Sequence, residues 1–245
     1  MLDQTTRSRE LAAILSCVQH VLTLGQPGRV RLLDVGCGNG LALASLRHRF
    51  PALALGGVDY TPDMVDLARE RRLPDCEIRQ GDVRELAVDD ATFDIVVSER
   101  CLINIVDAEG QRRALHEIHR VLRPGGHLIM IEAFVAGATN LNRARAELGL
   151  DPLEPPTFNR WLDEGELHSW LEGRFDEVGL DEPTSLPTRN FLSSHYFVSR
   201  VVYPALTTRE VLYNTEFVRF FDFLPPRGDY SPIRLYLLRS RRGSP

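Results

Sequence analysis

The sequence predicts an α/β fold: a doubly wound, mostly parallel seven-stranded sheet with a helical, aromatic-rich insertion before the last strand. Three observations predict it. Short apolar runs alternate with helical segments between residues 30 and 133, and strands that are apolar along their length belong in a parallel sheet covered on both faces. The first run ends in a glycine cluster that opens a helix. After residue 136 the rhythm breaks, and a long aromatic stretch precedes a final apolar run.

Each element follows from its residues. Leu11, Ile14, Leu15, Val18, Val21 and Leu22 recur at helical spacing, and Gly25, Pro27 and Gly28 end this N-terminal helix within residues 1–28. VRLLDV (30–35) is a buried strand, followed by a helix over 39–50 that Pro51 stops. Residues 53–59 form a second strand. Thr61 and Pro62 then supply an N-cap and a proline at the first helical position of a helix reaching Arg72. Residues 76–80 and 93–98 are the third and fourth strands. Asp107 caps a helix to about Leu122, residues 123–126 turn, and HLIMIEA (127–133) is the fifth strand. Residues 137–160, polar and proline-containing, read as a loop or lid. A helix over 164–171 and a strand over 174–180 resume the alternation. Residues 183–229 form a cap insertion before the last strand at 233–239, too long for an ordinary connection. The whole chain, 1–245, reads as one domain.

Composition narrows the function. Apolar residues make up 43% and charged residues 26%, an ordinary globular balance. A net charge of -5 provides no general basic field, so no nucleic-acid partner is expected. The basic residues are all arginine, which removes lysine as a general base, Schiff-base amine or phosphate clamp. Cys17, Cys37, Cys76 and Cys101 form no CxxC pair, so neither a zinc site nor any other metal is expected. The N-terminus lacks the pattern of a secretory leader, and no apolar stretch approaches the ~18 residues of a membrane span. The expected setting is the cytoplasm, without a membrane partner.

The strongest motif is Asp34-Val35-Gly36-Cys37-Gly38-Asn39-Gly40. A buried strand ends in a carboxylate and turns through glycines into a helix. Glycines let the backbone approach a ligand with no Cβ in the way, and the helix start points free N–H groups at it. Dinucleotide sites prefer G-x-G-x-x-G. Here Leu41 stands three places beyond Gly38, and Gly40 comes one place early. This disfavours a nicotinamide-dependent reductase. Asp59 ends the second strand, placed to accept ribose hydroxyls, and Tyr60 and Met64 follow as cover for a base. Gln80-Gly81-Asp82-Val83 ends the third strand, and Ser98 and Glu99 end the fourth.

The D-x-G-x-G-x-G pattern, together with this order of strand-end residues and Val121–Gly126 before the fifth strand, resembles the class I S-adenosylmethionine-dependent methyltransferases. The resemblance is strong over residues 30–135. It implies a Rossmann-like fold and S-adenosyl-L-methionine as cofactor. The implied binding residues are Asp34, Gly36, Cys37, Gly38, Gly40, Asp59, Tyr60, Met64, Asp82, Val83 and Ser98, with Asp82 receiving the adenine amino group.

The acceptor is less legible, because methyl transfer from a sulfonium requires placement more than a fixed catalytic group. A hydroxyl acceptor needs a nearby base. The candidates are His195, inside the aromatic insertion, and Glu99, after the fourth strand. Some members of the family carry a histidine near the position of Asn104, and this chain does not. No (N/D)PPY motif follows the fourth strand, and no lysine or carboxylate cluster supports a metal-assisted catechol-type reaction. Residues 159–164 (NRWLDE) and 231–236 (SPIRLY) resemble, more weakly, methyltransferases of bacterial polysaccharide and natural-product pathways. The expected reaction is therefore O-methylation of a sugar or other small metabolite. The alternatives are N-methylation of a small amine, or a module that binds S-adenosylmethionine or a nucleotide without turnover. The cap over 189–227 is expected to form the acceptor pocket, or else a homodimer interface.

Overall fold

In a computed structural model, residues 3–25, 28–180, 186–207 and 213–241 are described. The expected helix stop at Pro27 and parts of the expected cap, at 183–185 and 208–212, lie outside the described residues.

The alternation builds a seven-stranded sheet in the order β3-β2-β1-β4-β5-β7-β6. Its strands are β1 (Arg31–Val35), β2 (Ala54–Asp59), β3 (Cys76–Gln80), β4 (Phe93–Glu99), β5 (Leu122–Ala133), β6 (Phe175–Glu177) and β7 (Ile233–Ser240). β1 to β5 pair in parallel, whereas β7 runs antiparallel to both β5 and β6. The chain winds outward from β1 through β2 to β3, then returns to place β4 on the other flank of β1. The strand order reverses between β1 and β4, and in open α/β sheets ligands bind outside the strand ends at such a reversal.

The helices are α1 (Gln4–Thr23), α2 (Leu41–Arg49), α3 (Pro62–Glu70), α4 (Ala108–Val121), α5 (Val135–Glu147), α6 (Glu164–Leu171), α7 (Ser193–Phe197), α8 (Tyr203–Leu206) and α9 (Glu216–Phe220). Aspartates start three of them. Asp3 accepts from Thr6 N at 2.9 Å, Asp107 from Gly110 N at 2.6 Å and Asp163 from Glu166 N at 3.0 Å. Each satisfies a donor that the first helical turn leaves free. Alternate residues of the strands enter two cores. Leu32, Ile95, Val97, Ile129 and Leu237 pack with α1 and α2, while Leu33, Val96, Leu128 and Met130 pack with α4 and α6. Among the described residues no helix is long and apolar enough to cross a membrane, and no group of metal-ligating side chains is present.

The segment 137–160 differs from the expected loop: its first half is helical, as α5. The stretch LNRARAE supplies good helix formers, and its arginines and asparagines make specific contacts rather than marking a loop. Arg145 donates to Asp151 O at 2.7 Å, and Asn142 accepts from Leu153 N at 2.8 Å, folding the following residues back onto the helix. Gly137 permits this placement, because a Cβ there would run into the Ser231 carbonyl. In the insertion, α7 and α8 are joined through a π-helical turn, Val198–Val202. Phe191, Leu192, Tyr196 and Val201 from this region enter the core shared with α1.

Candidate active site

A cavity of about 530 Å³ opens at the β1/β4 reversal. Its walls come from the β1 turn (Gly36), the end of β2 (Val58–Thr61), the segment after β3 (Gly81–Arg84) and the segment after β4 (Arg100, Cys101 and Asn104–Asp107). Of the residues named from sequence, Gly36, Asp59, Tyr60, Asp82 and Val83 meet in this cavity.

The glycine turn divides its work. Gly36 N and Cys37 N donate to Val58 O at 2.7 and 3.1 Å, stitching the turn to β2. At Gly36, φ is +70° and a Cβ would come within 2.6 Å of Cys101 Cβ, so packing as well as conformation excludes a side chain. Gly38 has φ +52° and open space where a Cβ would stand. Gly40, with φ +74°, is the N-cap of α2, and a Cβ there would press on Ala68 of α3 at 3.1 Å. Gly40 thus serves helix packing, whereas the space beside Gly38 is open.

Asp59 joins the two halves of the cradle. Its Oδ2 accepts from Gly38 N at 2.8 Å and its Oδ1 from Thr61 N at 2.9 Å. Each oxygen keeps a lone pair for a further donor. Asp82 is gripped by Arg84, whose Nη2 lies 2.6 Å from Oδ2, and this hydrogen bond holds its carboxyl below the usual carboxylate range. Tyr60 and Val106 keep most of their apolar surface exposed at the cavity wall. Two acceptor carboxylates, an apolar cover and an open glycine turn suit the hydroxyls, ring and amino group of an adenosine.

Other expected residues stand outside the lining. Asp34 is 2% exposed beneath the turn, and burial pushes its carboxyl well above the usual range. Cys37 is buried against Gly57, and Met64 lies on α3, away from the cavity wall. Ser98 is fully buried and donates to Glu132 Oε1 at 2.7 Å, so its side chain serves the core. His195 also takes another place. Its ring is enclosed, with Nε2 3.0 Å from Asp3 Oδ2 and Nδ1 3.4 Å from Asp222 Oδ1. It ties α7 to the start of α1, and an imidazole sealed in this way is not presented to an acceptor. Burial raises the Asp3 carboxyl, but the His195 hydrogen bond and the Arg200 charge outweigh it and hold Asp3 well below its usual value. Among the described residues, none of the insertion's aromatics lines the cavity, and Phe220 and Phe223 are largely exposed.

Glu132 of β5 escaped the sequence reading. It is wholly buried and accepts from Ser98 Oγ (2.7 Å), Cys101 N (3.0 Å), Leu102 N (3.0 Å) and Ile103 N (3.3 Å). It therefore pins the segment after β4 that walls the cavity. The available signal was a lone carboxylate in the apolar strand HLIMIEA, since a buried charge needs partners. Burial pushes Glu132 up to about 7 against the pull of its hydrogen bonds. Glu10 of α1 is raised by burial to about 8.

These shifts carry a sign. Asp34, Glu10 and Glu132 hold their protons in the fold at pH values where the unfolded chain has lost them. Their stabilisation is complete below the ordinary carboxylate range and is lost as pH rises through the folded values of about 7 for Glu132 and 8 for Glu10. Thermal melts from pH 5 to 8.5 should show the midpoint falling by roughly 5–10 °C. A flat or rising curve would contradict the buried acids.

Gly38→Val should cost about 1–2 kcal/mol, because φ +52° strains a β-branched residue although no protein atom meets its side chain, and should abolish donor binding in the protein that remains folded. Circular dichroism with calorimetric titration of S-adenosylmethionine checks both halves. A folded variant with normal affinity would displace the ligand from the turn.

Known proteins resemble this chain over the same region. Residues 32–126 match the family described as a methyltransferase domain. The demethylmenaquinone methyltransferase of Deinococcus radiodurans is 34% identical over 105 residues, covering 42% of this chain and 42% of that protein. The phosphatidylethanolamine N-methyltransferase of Cereibacter sphaeroides is 38% identical over 109 residues, covering 42% and 51%. The chain spans about half the length of these curated relatives. The crystal structure of the YcgJ protein of Bacillus subtilis shares the fold, with a TM-score of 0.54 at 18% identity over 93% of this chain and 99% of that one. Motif, cavity and family match coincide on the same strands: residues 32–126, which hold the glycine turn and most of the cavity wall, match a methyltransferase domain.

Proposed function

We propose that the chain transfers the methyl group of S-adenosylmethionine to a small-molecule acceptor, a hydroxyl of a sugar or comparable metabolite. The observation that carries the reading is the meeting of Asp59, Asp82 and Gly36 in one cavity at the β1/β4 reversal. When bound, the cofactor supplies a carbon already activated by a positive sulfonium, so the protein contributes placement and electrostatics. Asp59 holds the ribose hydroxyls, Asp82 the adenine amino group, and Tyr60 and Val106 cover the ring. The pinned segment after β4 closes the far wall, excluding water and fixing the donor relative to the acceptor.

The likeness to a phosphatidylethanolamine N-methyltransferase favours a second reading, transfer to an amine. The free state of Cys17, Cys37, Cys76 and Cys101 suits a reducing, cytoplasmic setting. The test is calorimetric titration with S-adenosylmethionine, followed by measurement of S-adenosylhomocysteine release over panels of sugars and small amines. Asp59→Ala should weaken donor binding by about 1.5–3 kcal/mol, the worth of a charge-assisted acceptor. Unchanged affinity in a folded Asp59→Ala protein would take Asp59 out of the site. Binding without turnover on either panel would favour the non-catalytic module.

A further inference from the structure

Arg100 stands apart from the other charged groups that line the cavity. Asp59 accepts from Gly38 N and Thr61 N, Asp82 is gripped by Arg84, and Asp107 caps α4. Each of these has an aligned hydrogen bond within the protein. The Arg100 side chain is 34% exposed and, among the described residues, makes none. Its contacts are charge pairs: Nη2 lies 3.1 Å from Glu10 Oε2 on α1 and 3.9 Å from Glu99 Oε1. Neither Glu10 oxygen has a hydrogen-bond partner, so the nearer contact lacks alignment. The N–H donors of a guanidinium form a rigid planar fork that matches a carboxylate or a phosphate. In this cavity that fork has no aligned acceptor.

The backbone holds the arginine at a fixed place. Its φ is +51°, a left-handed conformation that costs a non-glycine residue about 1–2 kcal/mol. Arg72, Asp75 and Ala91 share this conformation, but none of them lines the cavity. Arg100 N donates to Ile131 O at 2.8 Å, and Asn104 Nδ2 donates to the Arg100 carbonyl at 2.8 Å. Asn104 Oδ1 in turn accepts from Asn159 Nδ2 at 2.8 Å. Strand register then locates it. Val35 pairs with Val58 on one side and with Ser98 on the other, so Asp59 and Glu99 stand level and Arg100 is one step beyond. Two strand spacings, on the order of 10 Å, separate the ends of β2 and β4. An adenosine held over β2 and β3 would direct the donor's sulfur towards β1 and β4, with Arg100 on the far side of it.

We propose that Arg100 is a specificity-determining residue that holds an anionic group of the acceptor, a carboxylate or phosphate, so that the acceptor is a sugar acid or sugar phosphate rather than a neutral sugar. The inference rests on the methyl-transfer reading and narrows its acceptor. Electrostatics supports it. A sulfonium and a guanidinium at one end of a cavity repel each other, and an anion between them turns that repulsion into two attractions. The carboxylates near Arg100 do little to cancel its charge. Glu99 is closer to Arg7, at 3.2 Å, and burial raises Glu10 to about 8, so that it is largely uncharged at neutral pH.

Calorimetry on the protein saturated with S-adenosylhomocysteine tests the assignment, with glucuronate, glucose 6-phosphate and glucose as probes. At least one of the two anions should bind roughly 10–100-fold more tightly than glucose, the range expected for hydrogen bonds to a charged group. Which anion does so tells carboxylate from phosphate. Arg100→Gln should remove the preference while S-adenosylhomocysteine affinity stays within about twofold, and Arg100→Lys, which keeps the charge but not the fork, should lose part of it. Equal binding of anions and glucose, or no binding of either anion, would overturn the proposal in the unaltered protein, without recourse to a variant. A preference that survives in Arg100→Gln would overturn it as well. So would a loss of S-adenosylhomocysteine affinity in that variant with the anion preference intact, because Arg100 would then hold the donor's own carboxylate. S-Adenosylhomocysteine and S-adenosylmethionine both failing to bind would instead remove the methyl-transfer reading, and the inference with it.

Discussion

Glu132→Ala is expected to destabilise the fold by about 4–6 kcal/mol, among the largest effects a single substitution here should produce. The carboxylate accepts three backbone N–H groups and the Ser98 hydroxyl in a place fully shielded from water. Alanine leaves these donors unpaired, each at a cost of about 1–3 kcal/mol, and opens a cavity as well. Water entering the vacated space would offset part of the loss. Glu132→Gln should cost less, because the amide keeps an accepting oxygen while bringing a second donor into a site already full of donors. Urea denaturation of the two variants checks the order. A loss under about 1.5 kcal/mol in Glu132→Ala would mean that the segment after β4 holds its shape without this anchor.

Gly36→Ala should come next, at about 2–5 kcal/mol, together with a large drop in donor affinity. The backbone there has φ +70°, and the new methyl would lie 2.6 Å from Cys101 Cβ and 2.7 Å from its sulfur. Either the turn or the cavity wall must move. The clash has one partner, which gives a decisive control: Gly36→Ala combined with Cys101→Gly should recover much of the stability, a coupling that two independent losses would not show. Additive effects in the cycle would rule out the contact as the cause. Gly38→Val differs in kind: it strains the backbone at φ +52°, but its side chain meets no protein atom and stands in the space proposed for the ligand.

The sheet was legible because strand and helix periods differ, and because glycine, proline and aspartate mark the boundaries. Asp107 and Asp163 cap the expected helices, and the glycine turn stands where the topology reverses. The residues proposed to hold the adenosine were legible for the same reason: they follow directly after strands. What escaped depends on contacts distant in sequence. Arg7 and Glu10 lie on one helix with no local sign that Arg7 meets Glu99, 92 residues away, and that Glu10 meets Arg100. His195 drew attention as a lone imidazole among aromatics, but its partner Asp3 lies 192 residues from it and turns it into a tie between helices. The segment 137–160 was misread because a polar helix with one apolar side has few apolar residues to count, and its prolines, Pro152, Pro155 and Pro156, all stand beyond the helix.

The position of β7 bears on how the chain reaches its fold during synthesis. β7 lies between β5 and β6, and among the described residues β6 pairs with no other strand. While a ribosome is still adding residues 178–232, β6 has no sheet to join and β5 carries an open, apolar edge. Such an edge can recruit strands from other chains. The glycine turn and the β1–β5 sheet can form early, so a nascent chain with its donor cradle complete still carries an adhesive flank. S-Adenosylmethionine added during translation would then stabilise the first half of the chain without protecting that edge, and aggregation in cell-free synthesis should depend on how quickly Ile233–Ser240 emerges.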